Sequence, residues 1–317
     1  MNWKVRYIDL GAQYQALKGP LDEAMQRIMA SGRYINGEET ERFEESLARY
    51  LGVKHVIGVG NGYDALFLAI RTQPIASGQI LTDEYTHIST IAAIVHATHS
   101  KVIYRERDAS NLQARIPVHM NGRVNNEAQH HSDVPVIEDA CQAIGAKFAG
   151  QFAGTFGDAG CFSFHPMKVL GCAGDGGAVA TSDSYMNTAL RNLRNHGGVN
   201  GFGYNSRLDN LQAAILNVKL PYLDGWIKRR REIASIYHLS LPEWVKKPPP
   251  PSDGQYFDTY SSYVIGGSPS LLAYLREKGI ECFSHIRTDV VSLPIYPEMK
   301  DAHIAMVIAA VKAYANG

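Results

Sequence analysis

The sequence has few cysteines and no excess of charge of either sign. Its 317 residues include only Cys141, Cys161, Cys172 and Cys282, whose spacing fits neither a metal site nor a dense disulfide framework. Lys plus Arg and Asp plus Glu both number 31, which argues against binding nucleic acid or an anionic membrane through a broad charged surface. We therefore expect a cytoplasmic protein with reduced thiols, whose partners include no metal, no nucleic acid and no membrane.

Long apolar runs are also missing. No stretch of about 18 apolar residues occurs, so no membrane span is expected, and Met1–Tyr7 lacks the apolar segment of a secretory signal. Hydrophobic residues make up 45% and charged residues 20% of the chain, which is the balance of an ordinary folded protein. Because one core stops growing at about 250–300 residues, the length predicts a large domain with a smaller one.

Short apolar runs alternate with helical patterns through most of the chain. Amphipathic helices are predicted around Leu17–Ile28, Phe43–Leu51, Leu211–Val218 and Leu223–Tyr237. Strands are predicted at His55–Val59, Lys101–Tyr104, Ile116–His119, Pro135–Glu138, Cys161–Phe164 and Gly177–Thr181. This alternation predicts an α/β fold, in which helices flank a mostly parallel central sheet.

A proline run marks the approach to a second domain. Pro248–Pro251 can form neither a helix nor a central strand, because proline lacks the backbone donor. Beyond it we predict a strand at Ser262–Ile265 and helices at Leu271–Lys278 and His303–Tyr314. The chain is therefore divided into a large domain, residues 1–238, and a small C-terminal α+β domain, residues 239–317.

A glycine-rich turn joins the first predicted strand to a helix. Gly58–Leu66 would expose backbone N–H groups and a positive helix end, which together can hold phosphate. Tyr63 stands where a dinucleotide fingerprint needs glycine, and no Lys-Ser/Thr pair follows as in a Walker loop. Phosphate binding and a plain structural turn both remain open from this motif alone.

Two acids and one lysine complete the candidate chemistry. Glu138 and Asp139 end an apolar strand, where open α/β sheets bind ligands, and adjacent side chains on a strand point to opposite faces. Lys168 follows a later strand end, in a loop rich in glycine. Taken singly, a solvated or paired acid and a solvated lysine are the simpler interpretations. Together with a phosphate turn they are the three anchors that pyridoxal phosphate requires.

Around these residues the sequence resembles the DegT/DnrJ/EryC1/StrS sugar aminotransferases, a family of fold-type I pyridoxal phosphate enzymes. The resemblance covers most of the chain and is densest over Lys54–Leu66, Val136–Gly177 and Arg191–Arg230. The family pattern Ser, aromatic, any residue, Pro, any residue, Lys matches Ser163–Lys168 in register. The resemblance implies a fold-type I aminotransferase-like architecture and bound pyridoxal 5'-phosphate.

The resemblance also implies a role for individual residues around the cofactor ring. Lys168 is the Schiff-base lysine and moves a proton during catalysis, and Asp139 is the partner of the pyridinium nitrogen. Gln142 lies beside the ring hydroxyl. The segment Tyr85–Thr90 aligns with the one whose ring stacks on the cofactor, which assigns the stacking role to His87.

At the phosphate end, the resemblance implies contacts from Ser163 and from the amides of Gly62 and Tyr63. Asn205 belongs to a segment that reaches the phosphate from the partner subunit, so a homodimer with shared active sites is implied. Arg207, with Arg191, Arg194 and His196, is a candidate for binding the diphosphate of the substrate, and a solvated surface position is the alternative for each arginine.

The sequence departs from the family pattern at several connections. The stretches between Tyr104 and Ile116, between Gly122 and Pro135, and between His285 and Val290 are short for this family. Tyr63 replaces a small hydroxyl residue. Either the fold is trimmed here or residues are missing from the sequence, and the residues alone leave both open.

The resemblance implies an enzyme that converts a nucleotide-linked (dTDP or UDP) keto-sugar to an amino sugar, with glutamate as amino donor. Three other functions remain open: a catalytically idle cofactor-binding regulatory homologue, a sugar dehydratase of the same fold, and a nicotinamide dehydrogenase. Lys168 argues against the dehydratase, and the failed dinucleotide fingerprint argues against the dehydrogenase.

Overall fold

The computed structural model describes residues 3–75, 77–129, 133–198, 201–284 and 287–314. Its helices are α1 (Leu10–Ala16), α2 (Lys18–Ser31), α3 (Glu38–Leu51), α4 (Gly62–Arg71), α5 (Ile88–Thr98), α6 (Ser184–Leu193), α7 (Asn210–Lys219), α8 (Leu223–Ser240), α9 (Pro269–Glu277) and α10 (Asp301–Tyr314). Its strands are β1 (His55–Val59), β2 (Gln79–Thr82), β3 (Lys101–Ile103), β4 (Leu112–Ile116), β5 (Ile137–Asp139), β6 (Lys147–Phe148), β7 (Gln151–Phe152), β8 (Ala159–Ser163), β9 (Gly177–Thr181), β10 (Tyr256–Phe257), β11 (Tyr263–Gly266) and β12 (Val290–Leu293). No helix in these ranges is long and apolar enough to cross a membrane.

The central sheet is mostly parallel, as the sequence predicts. One group of strands has the order β1-β9-β8-β5 and another the order β3-β2-β4. Parallel bridges at Arg115–Val136 and Val118–Asp139 join β4 to β5. Among the paired strands, β9 runs antiparallel to β1 and β8, whereas β5–β8, β2–β3 and β2–β4 are parallel. The carboxyl ends of β1, β5 and β8 therefore meet at one edge.

Both faces of the sheet bury apolar side chains. Val56 belongs to a cluster with Phe43 of α3, whereas its neighbour Ile57 belongs to a cluster with Leu66 of α4 and Ile94 of α5. Successive side chains on a strand point to opposite faces, so β1 packs against helices on each side. This two-sided burial explains the unbroken apolar runs in the sequence.

The predicted elements correspond to elements of the structure, with one displaced strand, whereas α1, α5, α6, β2, β6, β7, β10 and β12 were not predicted. Strand β2 was not predicted, because Gln79 and Thr82 leave only two apolar residues between them. The strand expected at Ile116–His119 lies instead at Leu112–Ile116, since Pro117 cannot donate to a ladder. Strand β4 alternates apolar and polar residues, which is typical of a strand with only one strongly apolar face.

A short connection joins β3 to β4 without an α-helix. It contains a 3-10 turn at Glu106–Asp108, and the side-chain oxygen of Gln79 accepts the N–H groups of Ser110 (2.7 Å) and Asn111 (3.0 Å). The connection is thus hydrogen bonded to Gln79 at the start of β2, in the sheet that contains β3 and β4.

The C-terminal part has its own apolar cluster. Strands β11 and β12 pair antiparallel, and α9 and α10 pack with them around Tyr263 and Val307. The same cluster includes Val5 near the start of the chain and Tyr237 of α8. The proposed domain boundary at residues 238 and 239 therefore falls inside α8, whose first turns contribute Leu223 and Ile227 to the core of the large domain.

Candidate active site

A cavity of about 520 Å³ opens where β1, β5 and β8 end. Its lining includes seven of the residues that the sequence singles out: Gly62, Tyr63, His87, Asp139, Gln142, Ser163 and Lys168. They come from four segments of the chain that are far apart in sequence. The folded chain thus brings the glycine-rich turn, the strand-end acid and the lysine to one place.

The N-terminus of α4 forms one wall of this cavity. Asn61 caps the helix by accepting the N–H of Asp64 at 2.8 Å, and the first amides of a helix have no carbonyl partner within it. A Cβ at Gly62 would lie 2.7 Å from the Cβ of Ser163 and 2.9 Å from the Sγ of Cys141. Glycine is therefore needed for α4 to approach β8, and the turn can hold an anion between its amides and the Ser163 hydroxyl.

Asp139 is the acid that reaches the cavity. It is only 5% exposed and ends β5. Its Oδ1 accepts the backbone N–H of Cys141 at 3.1 Å, and its Oδ2 accepts the hydroxyl of Thr90 at 2.6 Å. The carboxylate is thus held at a defined position on the cavity wall.

Glu138 points to the other face, as the alternation of strand side chains requires. It is fully buried and accepts Nε2–H of His119 at 2.7 Å, together with the N–H groups of Gly154, Phe156 and Gly157 at 2.6–2.7 Å. Because it is fully buried, Glu138 is not the solvated acid that the simpler interpretation describes. Its role is to hold the turn that precedes β8.

Lys168 lies on a loop that is fixed at both ends. Its backbone N–H donates to the carbonyl of His165 at 2.8 Å. The loop continues to Gly171, whose carbonyl accepts the ammonium of buried Lys219 at 2.7 Å. Burial lowers the pKa of Lys219 below its usual value. The sequence gives no signal for this contact, because Lys219 looks like the ordinary basic end of α7.

Gln142 and His87 each have one side-chain atom engaged. The Oε1 of Gln142 accepts the N–H of Asn121 at 3.1 Å, so its amide nitrogen is the group that can donate into the cavity. The Nδ1 of His87 accepts the N–H of Ser89 at 3.2 Å and caps α5. His87 therefore has a structural role as well as a place on the cavity wall.

A second cavity of about 470 Å³ adjoins the first on the Lys168 side. The two share His87, Met120, Gln142, His165 and Lys168 in their linings. The second cavity also reaches Ser262 and Arg287 of the C-terminal part. Arg287 donates from Nε to Asp289 at 2.7 Å, and its guanidinium lies 4.7 Å from the ring centroid of Tyr85. Sequence reasoning missed Arg287, because nothing in its surroundings marks it as a site residue.

The remaining candidates lie outside both cavities. Arg191 and Arg194 donate to the carboxylate of Glu44 at 2.8 and 2.6 Å and line neither cavity. Arg207 donates to the side chains of Asn195 and Asn205. Asn205 is exposed and lines neither cavity of its own chain.

Comparison with known proteins identifies the family to which the chain is similar. A model of the DegT/DnrJ/EryC1/StrS aminotransferase family matches residues 16–285. The chain is 34% identical to the dTDP-3-amino-3,6-dideoxy-alpha-D-galactopyranose transaminase of Aneurinibacillus thermoaerophilus, over 98% of this chain and 99% of that one. It is 33% identical to a pleiotropic regulatory protein of Geobacillus stearothermophilus, over 96% of each.

A solved structure supports the same relationship. The crystal structure of a DegT DnrJ EryC1 StrS aminotransferase from Brucella abortus superposes with a TM-score of 0.91 and 28% identity, covering 98% of this chain and 99% of that chain. This confirms the fold-type I aminotransferase-like architecture. The alignment with the Geobacillus protein extends over 362 residues, more than the 317 of this chain, in agreement with shortened connections.

Proposed function

The chain belongs to the DegT/DnrJ/EryC1/StrS aminotransferase family, and from this membership we propose that it is a pyridoxal phosphate-dependent transaminase of nucleotide-linked keto-sugars, with glutamate as amino donor. The observation that carries the proposal is the convergence of Lys168, Asp139 and the N-terminus of α4 on one cavity. The Aneurinibacillus relative, by its name, acts on a dTDP-linked sugar. A dTDP- or UDP-linked keto-sugar is therefore the proposed substrate class.

The cavity has the groups that pyridoxal phosphate needs. The amides of Gly62 and Tyr63 and the hydroxyl of Ser163 would hold the phosphate, and Asp139 would hold the protonated ring nitrogen. Gln142 would donate to the ring hydroxyl and His87 would pack against the ring. When bound, the cofactor supplies an electron sink for the pair left at the α-carbon of the amino donor.

Lys168 is the proposed catalytic lysine. Its amine would bind the aldehyde carbon in the resting protein and, once released, would move a proton at the α-carbon of the donor. The thiol of Cys141 lines the same cavity, but burial and the charge of Asp139 raise its pKa well above the usual range. The thiol stays protonated, so it does not compete with Lys168 as a nucleophile.

The second cavity is the proposed substrate site. It adjoins Lys168, and among its described lining residues there is no Asp or Glu. Arg287 is anchored to Asp289 through Nε and one terminal nitrogen, and its other terminal nitrogen can bind an anion. We assign Arg287 to a carboxylate or phosphate of the substrates.

The assembly is proposed to be a homodimer. Asn205 is exposed and lies outside its own chain's cavities, which suits a residue that completes the phosphate site of a partner subunit. Arg207 donates to Asn205 at 2.5 Å and would enter the partner's site with it.

All four cysteines are free thiols, which suits the proposed cytoplasmic location.

A cofactor-binding regulatory protein is the second candidate, because the Geobacillus relative carries that name. Absorbance spectra of the purified protein separate the two functions. Both predict a visible band at ~410–430 nm from the lysine-bound cofactor. Only the transaminase predicts that glutamate bleaches the band and that a keto-sugar restores it, whereas a band that glutamate leaves unchanged would favour the regulator.

Borohydride trapping followed by peptide mass spectrometry tests the assignment of the lysine. We expect the cofactor on the peptide that contains Lys168, and a Lys168→Ala variant should lose both the trapped adduct and turnover. Lys101→Ala, which changes an exposed lysine at the start of β3, is the matched control and should retain both. A trapped adduct on another peptide would refute the assignment.

A further inference from the structure

The position of Asp139 depends on a helix that the proposed mechanism does not otherwise use. Thr90 lies in the first turn of α5 and is 1% exposed. A threonine in a helix usually returns its hydroxyl to a carbonyl one turn earlier. Here the Thr90 hydroxyl instead reaches Oδ2 of Asp139 at 2.6 Å. The contact joins α5 to the end of β5, across the wall of the cavity.

The direction of this hydrogen bond is fixed by chemistry. An ionised carboxylate has no hydrogen to donate, so the Thr90 hydroxyl must be the donor. The Thr90 hydroxyl oxygen also lies 2.8 Å from the hydroxyl oxygen of Thr86, a residue that is 6% exposed. Since Thr90 has one hydrogen and gives it to Asp139, Thr86 must donate to Thr90. The order is therefore Thr86 to Thr90 to Asp139.

The neighbouring imidazole is not available for this task. His119 donates from Nε2 to Glu138 at 2.7 Å and accepts the N–H of Asn125 on Nδ1 at 3.0 Å. Both of its nitrogens are engaged away from Asp139. The Asp139 carboxylate is instead fixed by the Cys141 amide on one oxygen and the Thr90 hydroxyl on the other.

We propose that Thr90, oriented by Thr86, is a positioning residue that holds Asp139 toward the ring nitrogen of the cofactor. The inference rests on the proposed assignment of Asp139 to that nitrogen. A hydrogen bond to a charged, buried group contributes more than an ordinary one. Without it the Asp139 carboxylate can rotate about its Cα–Cβ and Cβ–Cγ bonds, and its contact with the ring nitrogen weakens.

Reconstitution of the apoprotein with two cofactors tests the proposal. The first is pyridoxal phosphate, and the second is its 1-deaza analogue, in which a C–H replaces the ring nitrogen. We expect Thr90→Val to weaken binding of pyridoxal phosphate on the order of tenfold and to leave binding of the analogue within about twofold. Thr90→Ser retains the hydroxyl and should bind both cofactors as the wild type does.

Two further variants control for the fold. Thr86→Val should weaken pyridoxal phosphate binding in the same direction by a smaller factor, about threefold. Thr98→Val changes a threonine of the same helix whose hydroxyl donates to the carbonyl of Ile94, and it should affect neither cofactor. Equal losses for both cofactors in Thr90→Val, or no loss for pyridoxal phosphate, would overturn the inference. A wild-type protein that binds no pyridoxal phosphate would overturn the proposed function as well.

Discussion

Gly62 is the residue whose size the candidate site restricts most directly. It stands at the first position of α4, with Ser163 and Cys141 close to the place where a Cβ would be. The same close approach brings the helix amides next to the Ser163 hydroxyl. The absence of a side chain at Gly62 therefore allows the amides of α4 and the Ser163 hydroxyl to contact one phosphate from two sides.

A Gly62→Ala substitution tests this requirement. The new Cβ would push α4 away from β8, so we expect pyridoxal phosphate affinity to fall by at least about tenfold and the free energy of unfolding to fall by about 1–3 kcal/mol. Fluorescence titration and urea unfolding measure the two effects. Gly19→Ala in α2, where a Cβ meets nothing within 4 Å, should be neutral or stabilising. Equal behaviour of the two variants would show that the close approach is unimportant.

The site residues also show how far sequence reasoning extends. Asp139 could be separated from Glu138 in principle, because one of two adjacent strand residues must face away. The burial and the hydrogen bonds of Glu138 could not be predicted, because only the folded chain brings its partners next to it. These partners are His119, Gly154, Phe156 and Gly157. Thr90 escaped notice for the same reason, because its contact crosses from a helix to a strand 49 residues away.

At the scale of elements, strong periodicity was a reliable guide and weak strands were not. The helix predicted around Phe43–Leu51 corresponds to α3, and Gly52 ends it with a φ of 74°. Strand β1 occupies the predicted residues 55–59. Strand β2 was missed because its buried positions include Thr82, whose hydroxyl donates to the carbonyl of Ile116 at 2.8 Å. Tertiary pairing, rather than local apolar content, makes that segment a strand.

The residues just before β12 carry the clearest prediction at this scale. Among them, Arg287 lies on the wall of the proposed substrate cavity. Arg287→Gln should raise the KM for the anionic substrate it binds by about tenfold and change kcat less, because a contact to a non-reacting carboxylate or phosphate stabilises the bound substrate and the transition state alike. Steady-state kinetics with glutamate and keto-sugar varied separately identify which substrate is affected.

The matched control is Arg49→Gln at the end of α3, where the arginine is exposed and donates to Ser46. It should leave both KM values unchanged. Unaltered KM values in Arg287→Gln would remove Arg287 from the substrate site, whereas a loss confined to kcat would place its effect on the chemical step.

For the whole molecule, burial of weak acids predicts a loss of stability at alkaline pH. Desolvation raises the pKa of the thiols of Cys172 and Cys282 from 9.0 to about 11, and that of the Tyr296 phenol from 10.0 to about 12. Above pH 9 the unfolded chain releases these protons before the folded one does. The unfolded state then binds fewer protons, so the free energy of unfolding falls as pH rises from about 9 to about 12.

Urea unfolding at pH 8, 9, 10 and 11 measures this loss. Tyr296→Phe removes one ionisable group, and the decline above pH 10 should become shallower than in the wild type. Tyr34→Phe, at a phenol that is 46% exposed, should leave the slope unchanged. A steeper decline in Tyr296→Phe would contradict the sign derived from burial.

Helix α8 is shared by both apolar cores, since Ile227 is buried in one and Tyr237 in the other. If one core unfolded, α8 would lose the packing on one of its ends, and the other core would lose its support from that helix. We therefore expect no intermediate with only one core folded to accumulate on heating. Scanning calorimetry should record a single endotherm whose calorimetric and van't Hoff enthalpies agree. Two resolved endotherms would mean that the helix can break between its two buried ends.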